Sequence, residues 1–293
     1  MDNTLFGLAD KQWIWIATVV FASTFVLGTY SAIKLHRRTG RPYVLALVTF
    51  GWILQTIGLY ARGLQYGGCP LSNQFELVQF MVWSAIAIYI FVGPSFRVSL
   101  LGVFTSGFAC LFSILSMVFE HWDNPSREPI FGDSPWIETH AALALFSYGV
   151  FGVLTLTSVM YLLQSRSLKQ KKVVGGLFPF LPSLVELVSI NGRLLAMGFI
   201  ILTVSLGIGY SYFIEDLSSV LTVKLASTVA VWLAYGIILF LRFKLILSSK
   251  KFAWVCVIVF IAALLSLAAV DREPETETPS PQASILNSST GDS

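Results

Sequence analysis

Long apolar runs recur along this chain at roughly residues 13–33, 42–62, 75–93, 97–119, 137–163, 193–213, 220–242 and 252–270, each closed by a short polar stretch. Each run is near the about 20 residues that cross a bilayer as helix. The pattern predicts an all-α integral membrane protein, a bundle of about eight transmembrane helices within residues 1–270. Spans one to four are tightly joined, and two longer connections interrupt the rest. The first, Glu120 to Pro135, holds His121, Trp122, prolines and mixed charges, a composition for an irregular surface loop. The second, Ser165 to Gly192, begins basic and then reads Gly175, Gly176, Leu177, Phe178, Pro179, Phe180, Leu181, Pro182. Ser183 with Glu186 three residues later has capping-box spacing, which predicts a short helix over 183–192 lying along the membrane interface before span six. After Val270 the chain turns to Glu and Thr, then Pro, Ser and Asn, so 271–293 reads as a disordered acidic tail. No convincing internal repeat occurs, which weighs against an inverted-repeat transporter.

Charge gives the bundle a direction. Lys34, Arg37, Arg38, Arg41, Arg97, Arg166, Lys169, Lys171, Lys172, Arg193, Arg242, Lys244, Lys250 and Lys251 fall in alternate connections, 14 of the 19 Lys and Arg. The positive-inside rule makes that side cytoplasmic. Of 16 acids only Glu186 lies there, while Asp10, Glu76, Glu120, Asp123, Glu138, Glu215 and the tail lie opposite. Both termini are therefore expected outside. The first run lacks the basic start and cleavage pattern of a secretory signal and is read as a retained span.

Composition narrows the function. A chain 55% hydrophobic and 12% charged, with polar stretches of about 20 to 30 residues at most, has no room for a soluble domain. Its basic residues mark a membrane face and suit contact with anionic lipid; nucleic acid is not an expected partner. Cys110 and Cys256 lie in spans, leaving Cys69 alone to meet an oxidising exterior without a bridge partner. No Cys-x-x-Cys-His occurs, so the chain is not itself a c-type cytochrome with doubly attached haem.

Ionisable groups near span ends are costly in lipid and are functional candidates. On the outward side these are Arg62, Glu76, His140 and Lys224, all expected at one depth. A neutral imidazole is a good iron or zinc ligand and a proton carrier, and His140 is the one histidine set against an apolar helix. Leu143, Ala144, Ser147 and Tyr148 follow it on one face, a mostly small-residue track that suits a flat ligand edge or a second helix. Plainer readings stand beside each candidate. Arg62 and Lys224 suit snorkelling to headgroups, Arg62 with Glu76 suits a structural ion pair, and Gln55 suits a hydrogen bond to another helix. Trp13, Trp15, Trp122 and Trp136 fit an outer aromatic belt. His36 lies beside Arg37 and Arg38 and is expected in solvent, whereas His121 could be a second ligand only if its loop folds over the site. No nucleophile and base pair, phosphate loop, zinc-ligand spacing or dicarboxylate constellation is visible, so the chain does not read as an enzyme.

Three segments together resemble the integral-membrane cytochrome c assembly and haem-handling family, the group containing CcsA, CcmC and HemX-like proteins. They are Trp52 to Thr56 with Ala61-Arg-Gly63 and Cys69 to Glu76; Trp136 to His140 through Leu145 to Gly149 and Met160 to Gln164; and Leu181 to Leu184, Asn191 to Phe199, Lys224, Trp232 to Tyr235 and Arg242. The likeness covers about 50–250. It implies that His140 is the outward-facing histidine associated with haem iron; Arg62 or Lys224, of opposite charge and at the same expected depth, would then meet the haem propionates, with Glu76 a further candidate at that depth. It also implies an apocytochrome or a second assembly subunit as partner, and a bacterial plasma membrane with the site facing the periplasm or exterior.

The departures from the family leave His140 as the one ligand candidate of its usual set. The family's tryptophan-rich stretch before span seven is replaced here by Ser219-Val-Leu-Thr-Val-Lys224. Its later histidines are replaced by Phe240 and by Ala268, Ala269 and Val270. Trp52 to Thr56 and Phe146 to Gly149 resemble the HemX-like proteins most. The alternative implied is a scaffold or regulator linked to tetrapyrrole metabolism, without its own haem site. Whether Arg62, Glu76, His140 and Lys224 share one cavity is a question of tertiary structure.

Overall fold

The computed structural model describes residues 8–34, 41–66, 68–93, 100–123, 135–169, 182–213 and 222–270. The expected tail 271–293, His36 with its neighbouring arginines, Arg97, and the stretch 170–181 lie outside the described residues. Regular structure consists of α1 (Asp10–Lys34), α2 (Arg41–Tyr66), α3 (Gln74–Val92), α4 (Leu101–Val118), a 3-10 turn (Glu120–Trp122), α5 (Pro135–Lys169), α6 (Leu184–Phe213), α7 (Thr222–Phe243) and α8 (Ser249–Val270). All eight α-helices are long and apolar enough to cross a membrane, as the run pattern requires. The protein is an all-α integral membrane protein.

One expectation changes in detail. Glu186 N–H donates to Ser183 Oγ at 3.2 Å, so the cap forms where the spacing put it. The helix it starts then runs unbroken for 30 residues to Phe213. Residues 184–192 are therefore the first turns of α6 rather than a separate interfacial helix. Asn191 explains the continuity: it is buried, and its Nδ2 donates to Ser158 Oγ of α5 at 3.2 Å, so these turns pack against a neighbouring span.

Packing proceeds from the centre outward. α3 and α5 are the most enclosed helices, and α7 is the least enclosed. α3 lies against α2, α4 and α5, while α5 also packs on α6 and α8. Small residues permit the central crossing: a Cβ on Gly149 of α5 would lie 2.4 Å from Ser84 Cβ and 2.8 Å from Ala85 N of α3. Lipid supplies little hydrophobic drive between helices, so such close backbone approach carries much of the association. Gly149 lies nine residues on from His140, on the opposite face of α5, so this crossing is separate from the small-residue track below His140, where Ser147 is buried. Gln55 joins helices as its plainer reading expected: Nε2 donates to Gln79 Oε1 at 2.8 Å, and Gln79 Nε2 donates to Ser116 Oγ at 2.9 Å. That chain ties α2, α3 and α4 together. Apolar side chains left on the outside, such as Val26, Phe50, Ile200 and Leu265, form the surface that lipid covers.

Candidate functional site

The start of α3 organises one end of the bundle. Asn73 caps the helix by accepting the Glu76 N–H at 2.9 Å, and Glu76 Oε2 accepts the Ser72 N–H at 2.7 Å. These bonds aim the Glu76 carboxylate at the last turn of α2, where Arg62 Nε donates to Oε1 at 2.6 Å. Arg62 is 1% exposed and makes two more such bonds, Nη1 to Asp10 Oδ2 at 2.7 Å and Nη2 to Asp123 Oδ1. Lys11 pairs with the other Asp123 oxygen, and the Phe75 ring lies 4.9 Å from the guanidinium carbon. One guanidinium therefore fastens the start of α1, the end of α2, the start of α3 and the segment after α4. Burial alone would raise the Asp123 carboxyl, but the Lys11 hydrogen bond and the Arg62 charge outweigh it and hold it below its ordinary value. The structural ion pair between Arg62 and Glu76 is present, enlarged by partners that lie 52 and 61 residues away from Arg62 in sequence.

His140, near the start of α5, is half-buried against the last part of α6. Its Nδ1 lies 2.7 Å from the Ser205 backbone carbonyl oxygen. The Ser205 hydroxyl lies 3.2 Å from the same nitrogen and donates to the His140 carbonyl at 2.8 Å. A carbonyl only accepts, so the neutral ring carries its proton on Nδ1 and keeps the lone pair on Nε2. Nε2 has no hydrogen-bond partner among the described residues. An imidazole held in this way is suited to donate a lone pair to iron.

Arg62 and Glu76 are thus brought together, while the hydrogen bonds of His140 run to α6. The same end of the bundle holds both. The Cys69 N–H lies 3.4 Å from Glu138 Oε1, which joins the turn before α3 to the start of α5, two residues from His140. Lys224 falls in the first turn of α7, and its side chain lies outside the described residues. His121 is exposed in the 3-10 turn, edge-on to Phe119 and Trp122. Trp15 and Trp136 are exposed, as a belt requires. An open groove of about 340 Å³ lies between α2, α3 and the turn at 68–70, with Tyr60, Phe80 and Trp83 in its lining. Sequence reasoning passed over Asp10, Lys11 and Asp123 as partners of Arg62, and Ser205 and Gly209 as neighbours of His140. An isolated charge at a span end was the only signal for the first group; serine and glycine in a span carried none.

Comparison with known proteins adds four findings. Residues 71–272 match the family described as Cytochrome C assembly protein, a stretch that includes Glu76, His140 and Lys224 and leaves Arg62 outside. Protein HemX of Brevibacillus brevis is 25% identical over 240 residues, covering 81% of this chain and 88% of that protein. Protein HemX of Bacillus subtilis is 26% identical over 162 residues, 53% of this chain and 56% of that protein. Cytochrome c biogenesis protein CcsA of Nostoc punctiforme is 28% identical over 131 residues, 43% of this chain and 37% of that protein, so the match spans little more than a third of CcsA.

Proposed function

This chain belongs to the Cytochrome C assembly protein family, and from that premise we propose that it is a non-enzymatic membrane component of cytochrome c assembly that handles haem, with His140 as the iron ligand. The observation that supports this most is the 2.7 Å contact of His140 Nδ1 with the Ser205 carbonyl, which leaves Nε2 as the coordinating nitrogen. Lys224, in the first turn of α7, is assigned to the propionates. Arg62 and Glu76, bound to each other and, through Arg62, to Asp10 and Asp123, serve the site by fastening the ends of α1 to α4 together at the end of the bundle that holds His140. In this reading the end faces outside, towards the periplasm or exterior of a bacterial plasma membrane, an orientation that the charge asymmetry supports. An apocytochrome or a second assembly subunit is the partner to which haem passes. Absorption spectra of purified wild type and His140→Ala, with and without added haem, test the reading. A Soret band that the substitution abolishes is expected; equal bands in both would remove His140 as ligand.

A second reading rests on the breadth of the HemX match, which covers 81% of this chain. In that reading the protein is a scaffold or regulator linked to tetrapyrrole metabolism, without a haem site, and the basic 166–172 loop with 175–192 is its working surface. Absence of specific haem binding by wild type, together with loss of partner binding on deleting 170–181, would select it.

A further inference from the structure

We infer that Ser205 and Gly209 of α6 form a seat for the His140 imidazole, which fixes its proton on Nδ1 and makes Nε2 the coordinating nitrogen. Three features build the seat. The Ser205 carbonyl, on the same face of α6 as Gly209, has a second lone pair for the Nδ1–H at 2.7 Å beyond its helical bond. The Ser205 hydroxyl donates to the His140 carbonyl at 2.8 Å and so locks the α5 backbone to α6 at this level. Gly209 supplies the space: a Cβ there would lie 2.7 Å from the ring Cε1, 2.8 Å from Nδ1 and 3.3 Å from Nε2. The ring edge that bears both nitrogens therefore occupies the volume that any other residue would fill. Gly207, on the same helix, has nothing within 4 Å of its virtual Cβ, so the two glycines are not equivalent. A glycine inside a helix is disfavoured against alanine, and at 209 the ring occupies the space a Cβ would take.

Ser205 and Gly209 are positioning residues, acting through His140. Outer-shell partners of a ligating histidine commonly change metal affinity by about 10- to 100-fold. The role in ligation rests on the haem reading given above, whereas the seat itself rests on geometry, and the experiment separates them. Nitrogen NMR of protein labelled with ¹⁵N-histidine, with the His140 signals assigned by their loss in His140→Ala, reads the tautomer without haem. A neutral ring protonated on Nδ1 is expected; a ring protonated on Nε2 would overturn the seat. Haem titrations then compare wild type, Gly209→Ala and Gly207→Ala. Gly209→Ala should weaken binding by about 10- to 100-fold and displace the Soret band, with Gly207→Ala unchanged. Wild-type binding by Gly209→Ala would also overturn the seat. Should wild type and His140→Ala take up haem alike, the haem reading fails and the NMR tautomer alone decides the seat.

Discussion

Arg62 is buried at the end of α2 with Asp10, Glu76 and Asp123 on its nitrogens. Removing one member of a buried ionic set leaves the others desolvated and uncompensated, which costs about 3–5 kcal/mol. Arg62→Met leaves three carboxylates facing Lys11, and the expected loss of that order is read as thermal denaturation in detergent. A variant that melts with the wild type would show that the cluster holds nothing together. The pH dependence has a definite sign. A carboxyl whose folded-state pKa lies below its unfolded value adds stability above the unfolded pKa and loses it as pH falls through the folded one. Asp123 is such a group. The gap in stability between wild type and Asp123→Asn should therefore persist from neutral pH down to about 4 and close below it. A gap that closed while pH was still well above that range would contradict the depressed carboxyl.

Among the elements, α5 carries the two features that set its neighbours: Gly149 at the crossing with α3 and His140 on α6. Alanine at 149 would gain helix propensity of up to about 1 kcal/mol. Its Cβ would also meet Ser84 Cβ at 2.4 Å, with backbone atoms close behind, so α3 and α5 must part. Overpacking of this kind costs about 1–3 kcal/mol, and Gly149→Ala is expected to lower the melting temperature. A rise would show that the crossing relaxes without loss. The N-cap at Ser183 was legible because N-caps are local, involving four residues. The length of α6 beyond it was not, because Asn191 is tolerated in that span only where Ser158 of another helix meets it.

At the scale of the molecule, side-chain contacts put Asp10, Arg62, Glu76, Asp123 and Glu138 at one end, in the grouping that alternating spans require. Which side of the membrane that end faces follows from the distribution of Lys and Arg, and Cys69 reports it. Cys69 is half-buried at this end, Cys256 is buried, and Cys110 lies within α4. A membrane-impermeant maleimide added to intact cells or right-side-out vesicles should label wild type and not Cys69→Ser. Labelling only after permeabilisation would reverse the orientation.

The sequence by itself determined the number of spans, their approximate bounds and the sorting of charge between the two ends, and it offered ties at Gln55 and at the Arg62–Glu76 pair only as one reading beside others. These follow from the cost of placing polar groups in lipid, which acts on every residue according to its own type and local run. Only the tertiary structure decided the partners: Asp10 and Asp123 on Arg62, Ser158 on Asn191, and Ser205 with Gly209 on His140. Such contacts join residues many tens of positions apart, and a serine or a glycine in an apolar run looks the same whether it faces lipid or an imidazole. The four candidate residues shared a depth in the sequence, but depth leaves the rotation of each helix about its axis open. Packing set that rotation, pairing Arg62 with Glu76 and turning His140 to α6.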